Sequence, residues 1–343
     1  MTSALEVVWL DSGALRLGCV PALGGRLLSV VVDGTECLWR NPELLDDELQ
    51  PVGAHAPHPV SGQLSEWDNY GGDKTWPAPQ GWAGPTEWAG PPDPVLDSGT
   101  YAWSLTGCDC GFESGVTMTS APDPRSGLTI TRSISLEDGS SAYDLTVSAR
   151  NDSDRSVRWA LWNVTQRDGR GPGTVLVSVD DAEAPVVPVV VGTAVPRTRV
   201  VDGTRIAIDH QQVVGKIGLP GAAGWLAHVS RGTTSTVLFQ PEPTATYPDQ
   251  GSRVEIWMET PLEQPLRALG GLHPHADIVE LEVLGPLRTL APGQSMSLSL
   301  RCAAVVGEHH DITEVTRDGH RSSDGWTSYR SADHSACATG RRS

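Results

Sequence analysis

The run Asn69-Tyr70-Gly71-Gly72-Asp73-Lys74-Thr75-Trp76-Pro77-Ala78-Pro79-Gln80 is the densest group of chemically capable side chains in the sequence. Within it lie two amides (Asn69, Gln80), a carboxylate (Asp73), an ammonium (Lys74) and an indole (Trp76). The two glycines let the backbone approach a ligand closely, and the prolines stiffen the chain around them. Indole faces with convergent amides and charges suit a sugar, whose C–H faces stack on the aromatic while its hydroxyls bond to the polar groups. The plainer alternative is a surface Asp73–Lys74 pair beside core tryptophans. Composition gives Lys74 added weight. Of 25 basic residues only Lys74 and Lys216 are lysine, so the chain uses Arg almost everywhere else. A compact ammonium on a flexible stem does work that a planar guanidinium does not.

Two further stretches carry chemistry. Trp159-Ala160-Leu161-Trp162-Asn163-Val164-Thr165-Gln166 reads as a strand with polar residues at its far end. Alternation puts Asn163 and Thr165 on one face, Trp162 and Val164 on the other. Asn163 and Gln166 are candidate ligand amides, although a hydrogen-bonded turn accounts for Asn163 equally well. Trp162 and Trp82 are candidate stacking faces. Val279-Glu280-Leu281-Glu282-Val283 places two carboxylates two residues apart, on one strand face, with Leu281 and Val283 toward the core. Such a pair can share a proton or divide into acid and base, a solvated sheet face being the alternative. His273-Pro274-His275 and His309-His310-Asp311 have a metal-like composition but no regular element to present them. No metal or cofactor is expected.

The elements that must position these groups are strands. Leu5–Leu10, Leu15–Val20 and Arg26–Val32 are short apolar runs separated by Asp-, Gly- and Pro-containing breaks. Leu128–Leu136 and Tyr143–Ala149 alternate around the turn Glu137-Asp138-Gly139. Val157–Val164, Thr174–Val179, Val186–Val191, Arg205–Ile208, Gly224–Val229, Thr234–Phe239, Arg253–Met258, Asp277–Leu284 and Ser295–Ala304 read the same way. No stretch of helical length carries an apolar stripe, and Leu44–Leu49 fits a single helical turn at most. Many short strands with Gly and Pro punctuation imply an all-β sandwich or barrel. The reading is one large β-sandwich domain over residues 1–306. Within it, residues 50–101 form a long Trp-, Pro- and Gly-rich loop; the polar tail 307–343 is expected to be poorly ordered.

Composition excludes some functions. A net charge of −17 argues against a nucleic-acid partner, which needs a basic face. No apolar run is long enough for a membrane helix, and Met1–Asp11 lacks the basic and apolar regions of a signal peptide. A cytoplasmic protein with reduced cysteines and a small-molecule ligand is expected.

The order of motifs is also familiar. Pro21-Ala-Leu-Gly24-Gly25-Arg26, Leu38-Trp39-Arg40-Asn41-Pro42, Asn69–Gln80, Arg158–Gln166, the Lys216 region, Tyr247-Pro248-Asp249, and Val279–Leu287 with Leu290-Ala-Pro292-Gly293 succeed one another. Over roughly residues 5–304 this resembles an uncharacterised bacterial family related to the galactose mutarotases (aldose 1-epimerases). The resemblance implies a galactose mutarotase-like antiparallel supersandwich with a sugar cleft on one concave sheet. In mutarotases a Glu on a late strand, in a Leu-Glu motif before a Leu-x-Pro-Gly turn, takes the anomeric hydroxyl proton, and a His on a middle strand protonates the ring oxygen. Leu281-Glu282 with Leu290-Ala-Pro292-Gly293 matches the base, with Glu280 beside it. The middle strand Trp162–Gln166 has no His, so Lys74 stands as acid or oxyanion partner, provided burial lowers its pKa. Arg26, Asn69, Asp73, Trp76, Gln80, Trp82, Trp162, Asn163, Gln166 and Lys216 would bind substrate. The implied function is acid–base chemistry of an epimerase or isomerase type on a sugar or sugar-like polyol. The alternatives are a non-catalytic carbohydrate-binding protein, or an isomerase, lyase or cyclase of a non-sugar metabolite.

Overall fold

Period-two patterning builds almost every element. In Leu128–Glu137 the residues Leu128, Ile130, Ile134 and Leu136 are buried while Thr129, Thr131, Ser133 and Ser135 between them are partly exposed. A strand alternates its side chains between faces, so this segment can bury only one side. Ala142–Asn151 repeats the pattern with Tyr143, Leu145, Val147 and Ala149 inward. A computed structural model describes residues 4–81, 86–107 and 113–308.

Two large sheets result. The first has eleven strands, in the order Val8–Asp11, Leu15–Val20, Arg26–Val32, Asp73–Ala78, Val157–Asp168, Ile278–Leu284, Val254–Glu259, Gly215–Leu219 and Val187–Val191. Two short strands complete it: Thr35–Glu36 pairs with Arg26–Val32, and Arg288–Leu290 extends the pairing of Val157–Asp168. The second has ten strands, with Ala142–Asn151, Ser295–Val306 and Thr233–Phe239 near its middle. Neighbouring strands pair antiparallel throughout the region of interest. The chain is therefore an antiparallel supersandwich, as the motif order implies. One continuous apolar cluster joins Leu17, Leu27, Ile130, Leu145, Leu281 and Ile256 across the two sheets. Among the described residues no helix is long and apolar enough to cross a membrane.

Three local expectations are corrected. Leu44–Leu49 forms turns rather than helix, closed by a bridge between Leu45 and Pro51. Residues 73–78, inside the expected loop of 50–101, form a central strand paired along its length with Val157–Asp168. Pro77 hides this strand from a sequence reading, because proline is disfavoured inside a sheet. Gly71 and Gly72 serve chain packing rather than ligand approach. Both have positive φ, and a Cβ would meet the backbone oxygen of Trp39 at 2.4 Å from Gly71 and that of Leu27 at 2.4 Å from Gly72. The tail expected to be poorly ordered lies outside the described residues from 309 onward.

One polar interaction crosses the core. Arg132 occupies a position where alternation calls for an apolar residue, and it is fully buried. Its guanidinium pairs with the Asp73 carboxylate of the other sheet and donates to the backbone oxygens of Asp73 (2.8 Å) and Gly25 (3.1 Å). Asn163 Nδ2 (2.8 Å) and Thr165 Oγ1 (2.5 Å) donate to the second Asp73 oxygen. Removing one partner of such a buried pair strands the other charge, at a cost of about 3–5 kcal/mol. Arg132→Met is expected to lower unfolding stability by that amount in urea titrations, and a loss under about 1 kcal/mol would show that the pair does not tie the sheets together.

Candidate functional site

The outer face of the eleven-stranded sheet, turned away from the core, carries the site. Register fixes its members. Trp76 lies opposite Trp162, Gln166 opposite Glu280, Glu280 opposite Trp257, and Trp257 opposite Lys216. Residues opposite one another on antiparallel strands share a face. Asp73 points into the core, so Lys74 and Trp76 point out. Leu64 and Trp67, Gln80 and Pro91, and Leu269 and Leu272 border this face and help enclose a cavity of about 130 Å³. Trp76, Trp162, Trp257, Lys216, Gln166, Glu259 and Glu280 are among its other walls.

The charges form two groups. In the first, Lys74 Nζ lies 3.6 Å from Glu280 Oε1 and over the rings of Trp76 (4.9 Å) and Trp67 (5.2 Å). Burial pulls the Lys74 ammonium down to about 8, against the opposing pull of Glu280. Gln166 Nε2 donates to Glu280 Oε1 at 2.5 Å. Glu259 also borders the cavity and accepts from Trp257 Nε1 at 3.2 Å. Burial, then the charge of Glu280, pushes its carboxyl up to about 8. In the second group, Lys216 Nζ sits 2.7 Å from Glu282 Oε2, 3.2 Å from Glu255 Oε2 and 4.2 Å above the Trp162 ring. Burial alone would lower the Lys216 pKa; the two carboxylates outweigh it and raise the pKa. Burial pushes Glu282 up to about 7 despite Lys216.

Several polar atoms on this face are buried without a hydrogen-bond partner, although Lys74 Nζ keeps its ion pair with Glu280. They are Lys74 Nζ, Trp76 Nε1, Gln166 Oε1, Glu255 Oε1 and Glu282 Oε1. Buried polar groups are normally paired, and an unpaired one costs about 1–3 kcal/mol. Five fall on this one sheet face, and two of them, Trp76 Nε1 and Gln166 Oε1, belong to residues that wall the cavity.

The structure brings together seven of the residues singled out from sequence: Lys74, Trp76, Gln80, Trp162, Gln166, Lys216 and Glu280. It separates others. Glu282 is completely buried, with Oε2 taken by Lys216 and by Trp162 Nε1 (2.5 Å), so it stands behind the cavity wall rather than in it. Asp73 and Asn163 are corrected outright, since pleat alternation turns both into the core toward Arg132. Arg26 is also corrected as a substrate-binding residue. It is fully buried against Asp97, whose other oxygen accepts from Trp67 Nε1 at 2.8 Å, so it positions the Trp67 wall from behind. Asn69 lines an adjoining cavity. Trp82 lies outside the described residues. Sequence reading missed Trp67, Glu255, Trp257 and Glu259. The last three alternate along Val254–Glu259 just as Glu280 and Glu282 do along their strand, and that signal was available. Two histidine pairs lie outside this chamber, His210–His228 and, on the adjoining cavity's wall, His273–His275, and among the described residues no third ligand joins either to make a metal site.

This arrangement matches known folds. A galactose mutarotase-like protein from Lactobacillus casei superposes with a TM-score of 0.54 at 14% identity, covering 88% of this chain and 100% of that one. A galactose mutarotase-like protein from Clostridium acetobutylicum gives 0.53 at 11% identity, covering 88% and 96%. A TPR-domain containing protein from Parabacteroides distasonis gives 0.57 at 12% identity over 88% of this chain. The chain spans about half (47%) of that last protein. At these identities the likeness concerns the fold. No curated protein matches the sequence. Residues 5–301 match the family described as Domain of unknown function (DUF4380), and the chain, built on the galactose mutarotase-like fold, belongs to that family.

Proposed function

We propose that this protein binds a sugar or sugar-like polyol in the cavity beside Lys74 and Glu280 and performs acid–base chemistry of the epimerase or isomerase type on it. The observation that carries this reading is the set of buried polar atoms without hydrogen-bond partners on or beside the cavity walls, Lys74 Nζ, Trp76 Nε1 and Gln166 Oε1 above all. Hydroxyls donate and accept, so one ligand class satisfies all three. The partly exposed Trp67 supplies an apolar face for the ring, as does Trp257.

In the proposed reaction Glu280, rather than the enclosed Glu282, takes the proton of the anomeric hydroxyl. The carbonyl forms as the bond from the anomeric carbon to the ring oxygen breaks, and an acid delivers a proton to that oxygen. Rotation of the aldehyde and the reverse sequence close the ring as the other anomer, with no net change in protons. Two groups can serve as the acid. Lys74 and Glu259 each hold a proton up to about pH 8, where ordinary lysine would be too weak an acid and ordinary glutamate already ionised.

A panel of neutral hexoses and pentoses, screened by thermal shift, tests the ligand class. A sugar at about a hundred times its Kd adds about 2.7 kcal/mol of stability; no shift with any of them would sink the reading. With a binding sugar in hand, Glu280→Gln is expected to lower the rate of anomeric exchange, tracked by polarimetry, by about 10²–10⁴-fold while binding persists. An unchanged rate removes Glu280 from the mechanism. The rate is also expected to fall as pH rises through about 8, because the acid form is lost there. Glu259→Gln abolishes that alkaline limb if Glu259 is the acid and leaves it in place if Lys74 is.

A further inference from the structure

The chamber beside Lys74 and Glu280 does not stand alone. It holds about 130 Å³, below the roughly 300 Å³ at which ordinary small-molecule sites begin. A cavity of about 650 Å³ adjoins it, and the two share Leu64, Trp67, Glu259 and Leu272 as walls. A third, of about 700 Å³, shares Trp39, Pro42, His275 and Ala276 with the second. A narrow end-chamber thus opens at Trp67 and Glu259 onto a trough several times its volume. A ligand that filled only the chamber would leave the trough without a role.

We infer that the cleft takes a neutral oligosaccharide end-on, with one ring in the chamber and the next units in the trough; this rests on the sugar reading proposed above. The trough walls decide the charge. They carry the amides of Asn41 and Asn69, the imidazoles of His273 and His275, and the carboxyls of Glu43 and Asp68. Among the described residues that wall this second cavity there is no lysine or arginine, and the arginines of the third, Arg40, Arg170 and Arg231, are each paired with a carboxylate, Arg40 with Asp47 and the other two with Asp168. A phosphate or uronate would meet carboxylates and no cation free of a carboxylate partner, whereas hydroxyls find donors and acceptors along the wall of the second cavity. The chamber offers an anion nothing better. Lys216 is committed to Glu282 and Glu255, and Lys74 faces Glu280. The acid–base pair acts at an anomeric carbon, so the ring in the chamber is the one with a free anomeric hydroxyl. That is the reducing-end unit, and the remaining units are attached through another of its hydroxyls.

Titration calorimetry of the full chain tests this with matched series: glucose against maltose, cellobiose and maltotriose, galactose against galactobiose, and mannose against mannobiose. Glucose 6-phosphate and glucuronic acid are the charged controls. In the series that binds, the disaccharide is expected to bind at least tenfold more tightly than its monosaccharide, with neither charged control exceeding glucose. Ser65→Trp, at an exposed position on the trough wall, is expected to bring the ratio of the two affinities toward one. Equal affinities for monosaccharide and disaccharide in wild type overturn the end-on trough and leave the sugar reading standing. Preference for the phosphate or the uronate overturns the neutral class. Absence of binding by every sugar overturns both proposals together. The length series in wild type decides the matter even where the variant does not fold.

Discussion

Asp73 and Lys74 are neighbours on one strand, and a strand must send neighbours to opposite faces. The site depends on this separation. Arg132, reaching from the other sheet, takes the Asp73 carboxylate into the core together with Asn163 and Thr165. A second carboxylate beside Lys74 on the cleft face, added to Glu280, would favour its charged form. With Asp73 turned inward, burial dominates and the Lys74 pKa comes down to about 8. The buried ion pair thus ties the sheets together and withholds a second counter-charge from Lys74.

The two lysines show how far environment separates identical groups. Both are buried on the same sheet face, and both lie over indole rings. Lys216 has two carboxylates within 3.2 Å, and their attraction exceeds its desolvation penalty. Lys74 has one carboxylate at 3.6 Å, and desolvation wins. The first is a fixed positive charge that orders Glu282 and Glu255 behind the cavity and Trp162 in its wall. The second can give up a proton near neutrality. Groups whose environments drive their proton affinities apart are the usual basis of an acid–base division of labour.

Much of this was legible in sequence, for stated reasons. Strands such as Leu128–Glu137 and Ala142–Asn151 bury one face only, and alternation records it. Glu280 and Glu282 sit two apart, so their shared face came from strand geometry alone. The rarity of lysine pointed to both Lys74 and Lys216. Which face each strand turns outward was harder to read. Asp73, Thr75 and Pro77 are no more apolar than Lys74, Trp76 and Ala78, so nothing in that hexapeptide says which set meets the core. The answer lies in Arg132, 59 residues away in sequence. Likewise Glu282, favoured over Glu280 by its resemblance to the mutarotase base, is enclosed by Lys216 and Trp162, which come from two other strands.

The missing histidine has a structural consequence. An imidazole has a pKa near 6.5 in water and can act as an acid in an open cleft, whereas a lysine starts near 10.4 and a glutamate near 4.3. Either reaches neutrality only where water is kept out. An open sheet face would leave Lys74 a permanent cation and Glu259 a permanent anion. On the proposed chemistry, this accounts for the tryptophan-rich cover. Trp67 lies across Lys74, Trp88 is fully buried against Trp76 at 5.2 Å, and Leu269 and Leu272 border the same chamber as Glu259. The narrowness of the chamber and the proton affinities of its walls are then one property. Whatever widens the chamber rehydrates Lys74 and Glu259 and returns them toward their ordinary values, so on the proposed chemistry ligand size and acid strength are set by the same side chains.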